Sequence, residues 1–369
     1  MHPLACELRE IWCKYLHLRA RAEALLLGLP LTTTITYTYD ELYRLTDATY
    51  SSYDTDKTYS YTYDAVGNAL SYSTNVNNLV TTTNYTYNAA NQLMTAQVNN
   101  NPTVWNYTHD GRGNLTEVTP NGTPGIGAQR YTYNTAGYLS QVENYNGSAY
   151  ELRAEMSYNG LGDRISMTGW ESGLSLTTNY TLDLTRYAQP LSATAAGNST
   201  FYLYGRDAAA EKTDAWAYYL KDGTTTTRQM TGPAAEVLVV RGFTPWGEIT
   251  YQNGIDDLAW GYFGGLMDAA TGLIYMGAGQ YYDPSTGRFL SPVNNFDPEN
   301  PGNPYLPSSG DPLGAMLGPV ALLLLLSGRR KKKGKVDKLL LLLLMSMAVV
   351  MGVVACGEGP APTPPPPSS

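Results

Sequence analysis

Tyr61-Thr62-Tyr63-Asp64-Ala65-Val66-Gly67-Asn68-Ala69-Leu70-Ser71-Tyr72 is the stretch that decides the fold. Tyr61 and Tyr63 lie two apart, so they share one face of a strand. Asp64 opens a turn, because its short side chain can accept from backbone amides just ahead of it. Gly67 and Asn68 tolerate positive φ. Leu70 and Tyr72 resume the alternation on a return strand, and the whole reads as a β-hairpin.

The word recurs as Tyr37-Thr38-Tyr39-Asp40, Tyr85-Thr86-Tyr87-Asn88, Tyr107-Thr108-His109-Asp110 and Tyr131-Thr132-Tyr133-Asn134. The first tyrosines of the five copies are 24, 24, 22 and 24 residues apart, and a degenerate sixth copy is expected to start at Tyr158-Asn159. The turn chemistry repeats in Asp110-Gly111-Arg112-Gly113-Asn114-Leu115 and Asn134-Thr135-Ala136-Gly137-Tyr138-Leu139. A fixed period of this kind means stacked units. A lone hairpin is marginal, so neighbours must pair edge to edge. The expected fold class is all-β, a spiral of stacked β-hairpins, with Tyr37, Tyr61, Tyr85, Tyr107 and Tyr131 in equivalent positions.

Composition agrees. The 369 residues include 31 Tyr against 5 Phe, and only 15% are charged. Tyrosine suits half-buried strands, ring packed and hydroxyl reaching a partner. Net charge is -8, but seven basic residues fall within Arg329 to Lys338. The remainder is strongly acidic, which excludes nucleic-acid binding by the main body, since phosphate contacts need a basic face. Cys6, Cys13 and Cys356 supply no disulfide framework for the β region, and neither they nor His2, His17 and His109 show zinc-site spacing. No metal or cofactor is expected.

Along the chain, residues 1–30 read as a helix-like leader, helical from Leu4 to Leu27, interrupted by Arg19, Arg21 and Glu23 and so unlike a secretory signal; it reads as an incidental leader or a truncated gene start, with a docked helix as the alternative. Residues 31–179 hold the repeats. Residues 180–292 keep the β composition without the strict period. Residues 293–312 are rich in Pro, Asn, Gly and Asp and read as an irregular linker. Residues 313–355 carry two apolar segments around a basic loop, 327–338, and residues 356–369 form a Pro-rich tail.

Leu339 to Ala355 is 17 uncharged residues, about 25 Å as a helix, enough to just reach across a hydrocarbon core of about 30 Å. Ala315 to Leu326 is shorter and contains Pro319. The basic loop marks the cytoplasmic side, so the expectation is C-terminal transmembrane helices with the β region extracytoplasmic. Val353-Val354-Ala355-Cys356-Gly357 also resembles a bacterial lipoprotein signal, which would lipidate Cys356.

The densest local pattern is Phe243-Thr244-Pro245-Trp246-Gly247-Glu248, Phe263-Gly264-Gly265, Thr271-Gly272-Leu273-Ile274-Tyr275, then Tyr281-Tyr282-Asp283-Pro284-Ser285-Thr286-Gly287-Arg288-Phe289-Leu290-Ser291-Pro292. With the repeats, this order resembles the RHS, or YD-repeat, family, and its RHS-associated core domain, over about residues 31–292. The resemblance implies a spiral of hairpins forming a hollow shell, as in bacterial polymorphic toxins, insecticidal toxin complexes and teneurins. Six recognisable repeats are too few to close a large shell, so the chain reads as the terminal part of one.

Toxin members of the family cut themselves after the core with aspartates in two Asp-Pro-x-Gly words. Asp311-Pro312-Leu313-Gly314 fits the second word, but Val293-Asn294 stands where the first belongs, and Asp297-Pro298-Glu299-Asn300 lacks the glycine. A carboxylate pair works by sharing one proton, so a lost partner removes the couple. Asp297 and Asp311 are therefore weak autoproteolysis candidates. Tyrosine faces could stack on carbohydrate, although tyrosines at strand spacing more often pack across strands. Gly277-Ala278-Gly279 lacks a phosphate-loop lysine, and Asp256-Asp257 lacks metal-ligand rhythm. The functional expectation is a non-enzymatic, membrane-tethered shell scaffold for a cell-surface partner or an enclosed cargo polypeptide. The alternatives are a toxin-delivery shell with aspartyl self-cleavage and a glycan-binding adhesin.

Overall fold

The computed structural model describes residues 20–26, 29–51, 56–171, 173–184, 189–205, 207–254, 258–293 and 303–307. Twenty-one strands run from Ala20–Leu26 to Ile249–Gly254, and each pairs antiparallel with the next in chain order. The result is one continuous meander, as stacked hairpins require.

The five word tyrosines are equivalent in register. Tyr37 faces Ala48, Tyr61 faces Tyr72, Tyr85 faces Ala96, Tyr107 faces Val118 and Tyr131 faces Val142, eleven residues on each time. A β-bulge follows in every copy, between the middle residue and the second aromatic: Thr38/Tyr39, Thr62/Tyr63, Thr86/Tyr87, Thr108/His109 and Thr132/Tyr133. Each bulge adds local twist and re-aims the strand into its turn. The sixth copy obeys the same rule from an earlier start than its sequence suggested. Met156 faces Met167, with the bulge at Ser157/Tyr158, so the word is Met156-Ser157-Tyr158-Asn159. Met fills the first tyrosine's place because that place demands apolar bulk, not a hydroxyl.

Two expectations change. Ala20–Leu26 is a strand paired with Leu29–Tyr39, not the C-terminal part of a helix. Helix propensity is a weak prior, and a Thr-rich partner strand offering its edge overrides it. The wall also continues past residue 180 to Gly254 without a break, so only the residues after 257 leave it.

Those residues form a second, four-stranded sheet: Leu266–Met267, Ile274–Gly277, Gln280–Asp283 and Arg288–Phe289. It packs on the tyrosine face of the wall. Val118, Val142, Tyr219 and Met230 share one core with Trp260, Leu273, Tyr281 and Leu290. Strands far apart in sequence thus meet around one inner segment. Among the described residues no helix is long and apolar enough to cross a membrane. The apolar segments of 313–355, and Cys356, lie outside the described residues.

Candidate functional site

The richest chemistry lies where the inner segment meets the turns of the repeats. Each turn is built alike. Asp64 Oδ1 accepts from the backbone N–H of Val66 at 3.0 Å and of Asn68 at 2.8 Å, while Gly67 N–H donates to Asp64 O. Asp40, Asn88, Asp110, Asn134 and Asn159 accept from the corresponding two amides. The acidic or amide residue of each word is therefore a turn clamp. These bonds, with the charge of Arg44 and Arg112, hold the Asp40 and Asp110 carboxyls below the usual carboxylate range against the opposing effect of burial.

From Tyr63 onward, the second tyrosine of the word ties hairpin to hairpin. The hydroxyl of Tyr63 donates to Leu45 O at 2.7 Å, Tyr87 to Ala69 O at 2.8 Å, Tyr133 to Leu115 O at 2.8 Å and Tyr158 to Leu139 O at 2.6 Å. The acceptor is always the first residue of the preceding return strand. His109 occupies this place in the fourth copy. Burial, helped by the nearby Arg288 charge, pushes its imidazole down to about 4, and its ring meets Tyr305 edge-on at 6.1 Å.

Thr244-Pro245-Trp246-Gly247-Glu248 repeats the same turn, with Thr244 Oγ1 accepting from Glu248 N–H at 3.0 Å. Its tip carries Trp246 into the repeat face, with ring centroids 4.9 Å from Tyr61 and 5.0 Å from Tyr72. Arg288 then reaches the turn edge. Its Nη1 donates to Asn68 Oδ1 at 3.0 Å and its Nη2 to Asn91 O, and its guanidinium lies over the rings of Tyr87 at 4.8 Å and Tyr305 at 5.3 Å. Asn68 also donates to Asp64 Oδ2 at 2.8 Å and Asn91 Oδ1 at 3.0 Å, so one buried amide joins two turns and the inner segment.

The chain after the inner sheet closes over this junction. Tyr305 O accepts from Phe289 N–H at 2.8 Å, Pro304 O accepts from Val293 N–H at 2.9 Å, and the Tyr305 hydroxyl donates to Gly113 O at 2.8 Å. Residues 303–307 of the expected linker are thus docked on the repeats. Between Tyr63, Tyr87, Trp246, Arg288 and Leu306 a cleft of about 20 Å³ remains, room for about one water.

A second buried cation sits deeper. Arg164 lies over the rings of Tyr275 at 4.3 Å and Tyr180 at 5.1 Å, and donates to the Tyr281 hydroxyl at 3.2 Å. Asp268 is the nearby acid; burial raises its carboxyl and the Arg164 charge opposes the rise. Such caging lets a guanidinium be buried with its planar face on aromatic rings.

The weak autoproteolysis candidates Asp297 and Asp311 lie outside the described residues, as does Asp256-Asp257. Tyr61, Tyr85 and Tyr131, weighed as sugar platforms, are buried in the core. Gly277-Ala278-Gly279 forms a tight hairpin turn, with Gly277 facing Gln280 and Ala278 and Gly279 at φ 47° and 73°. The sequence reading assigned no role to Arg164, Arg288 or Tyr305. Arg164 had a signal: it stands where the other copies carry Leu or Ala, opposite the second tyrosine.

The sequence profile of the Teneurin YD-shell family matches residues 30–304. No curated protein matches the chain. Among solved structures it is similar to the crystal structure of TcdB2-TccC3-Cdc42, at 18% identity and a TM-score of 0.41, over 77% of this chain and 18% of that one. It is also similar to the Photorhabdus luminescens Tc holotoxin pore with a mutated TccC3, at 17% identity and a TM-score of 0.40, over 77% of this chain and 18% of that one. The chain therefore spans about 18% of the length of those chains.

Proposed function

The chain belongs to the Teneurin YD-shell family, and on that premise we propose that it is a non-enzymatic β-shell scaffold, tethered to a membrane by a hairpin of its two C-terminal apolar segments, Ala315 to Leu326 with its flanks and Leu339 to Ala355, with the β region extracytoplasmic. It presents the wall to a cell-surface partner or holds a cargo polypeptide against it. The observation that carries the scaffold reading is the tyrosine ladder. Hydroxyls that could recognise a ligand are spent on the carbonyls of the preceding hairpin, from Tyr63 to Leu45 through Tyr158 to Leu139. This is how a continuous wall resists opening, not how a cleft binds substrate. The tether rests on the 17 uncharged residues of Leu339 to Ala355 beside seven basic residues in Arg329 to Lys338. Carrying so many cations across a bilayer costs far more than leaving them in the cytoplasm.

Cysteine labelling of intact cells tests the topology, in a background with Cys6, Cys13 and Cys356 replaced. Ser148 lies in an exposed turn. A reporter at Ser148→Cys should react with a membrane-impermeant reagent, and one at Gly334→Cys should not. Labelling at Gly334 but not at Ser148 inverts the topology and removes the case for an extracytoplasmic scaffold.

A further inference from the structure

The outer face of the wall changes character along the chain. The middle residue of each word points outward, between the two aromatic positions that point in. It is Thr62, Thr86, Thr108, Thr132, Ser157 and Thr181 in successive hairpins, all exposed. Several are paired with hydroxyls across the strand, Thr62 with Ser71 at 2.6 Å and Thr86 with Thr95 at 2.6 Å. In Tyr202-Leu203-Tyr204 the same place holds leucine, and in Tyr219-Leu220-Lys221 leucine again.

The neighbours follow suit. Leu203 pairs with Ala210, and Ala210 with Tyr218; Phe201 pairs with Lys212, and Lys212 with Trp216. Phe201 is 56% and Tyr218 44% exposed, whereas Ala210, between Leu203 and Tyr218, is 1% exposed. The large side chains thus lean together into one apolar surface across three strands, Asn198–Tyr204, Ala208–Lys212 and Trp216–Lys221. The ammonium of Lys212 lies 5.9 Å from the Trp216 ring. An exposed patch of this make-up marks an interaction surface.

We infer that this patch, Phe201, Leu203, Trp216, Tyr218 and Leu220, rests on the lipid bilayer interface. The inference depends on the membrane tether proposed above. The chain continues 62 residues beyond Pro307, and the 17-residue uncharged run lies within them. A wall held that way stays close to a lipid surface, and this apolar outer region turns towards it. The chemistry fits: Trp and Tyr favour the headgroup level, aliphatic side chains enter the acyl boundary, and a lysine beside them keeps its charge in the headgroups. Leucines at the centre of the patch argue against a sugar, which stacks on aromatic faces but gains nothing from aliphatic ones.

The test uses the full chain in phosphatidylcholine and phosphatidylglycerol vesicles carrying brominated acyl chains. The chain has 6 tryptophans and none after Trp260, so the tether itself contributes no fluorescence. Trp216→Phe, a conservative change at an exposed position, isolates the patch. The wild type should be quenched, and Trp216→Phe should lose that quenched component while still sedimenting with the vesicles. Equal quenching of wild type and Trp216→Phe on vesicles that still carry the chain overturns the patch and leaves the tether standing. Failure of both proteins to sediment overturns the tether and the patch together. A Trp216 protected from iodide by a second copy of the chain or by added oligosaccharide, but not quenched by brominated lipid, also overturns the inference.

Discussion

Arg288 Nη1 donates to Asn68 Oδ1 at 3.0 Å across 220 residues of sequence, joining the last strand of the inner sheet to the second repeat turn. Both side chains are buried, Asn68 at 1% and Arg288 at 5% exposure. Among the described residues no carboxylate is hydrogen-bonded to the guanidinium; amide, carbonyl and tyrosine faces satisfy it. The repeats and the inner segment are therefore one folding unit in this region.

The turn glycines separate backbone strain from docking. Gly67 and Gly113 have φ of +89° and +90°. A Cβ on Gly67 would meet Leu306 at 3.4 Å, ordinary contact, whereas one on Gly113 would meet the Tyr305 hydroxyl at 2.5 Å. Gly67→Ala should cost about 1 kcal/mol, the strain of positive φ alone. Gly113→Ala should cost clearly more, because it also unseats Tyr305. Equal losses in chemical denaturation would show that the 303–307 segment contributes nothing there.

Removing one rung of the tyrosine ladder should be measurable. Tyr87→Phe and Tyr133→Phe each keep the packed ring and lose a hydroxyl donor, to Ala69 O and Leu115 O. Each should lower stability by about 1 kcal/mol. Unchanged unfolding midpoints in both variants would mean that the ladder does not bind hairpin to hairpin.

His109 gives the wall an acid-sensitive point. Its folded-state pKa lies at about 4, below the ordinary 6.5. Between those values the unfolded chain binds a proton that the folded chain refuses, so stability falls as pH drops from about 6.5 to about 4. His109→Tyr restores the repeat word and offers a hydroxyl to Leu93 O. It should raise the thermal midpoint and flatten that part of the stability profile. A variant that keeps the wild-type slope between pH 6.5 and 4 would place the acid-sensitive group elsewhere.

Much of the wall was legible in the sequence because its signals are local. Alternation, turn chemistry and the 24-residue period each sit within one hairpin, and Tyr61, Asp64 and Gly67 do what their spacing demands. The sixth copy, Met156-Ser157-Tyr158-Asn159, was misplaced because methionine hides the tyrosine position. The strand at Ala20–Leu26 was missed because pairing, not propensity, sets it. The junction was not legible. Arg288, Asn68, Asn91 and Tyr305 come from distant parts of the chain, and only the packing of the inner segment on the repeats brings them together. The substitutions at repeat positions were visible but unread: His109 for tyrosine, Arg164 for leucine or alanine, and Leu203 for threonine.

Self-cleavage has its own readout. Val293-Asn294 stands in place of the first Asp-Pro-x-Gly word, so the purified chain should have one intact mass. A cut between residues 293 and 315 that disappears in Asp311→Asn would instead establish aspartyl self-cleavage and favour the toxin-delivery shell.

The most direct test of a wall locked by its inner segment is a double-mutant cycle on Asn68→Ala and Arg288→Met, followed by denaturant unfolding of the full chain. Each single change removes the same buried hydrogen bond, so the double variant should be less destabilised than the sum of the two, with a coupling of about 1 kcal/mol or more. Losses that add to within about 0.3–0.5 kcal/mol would show that the two side chains act independently, and would contradict the lock.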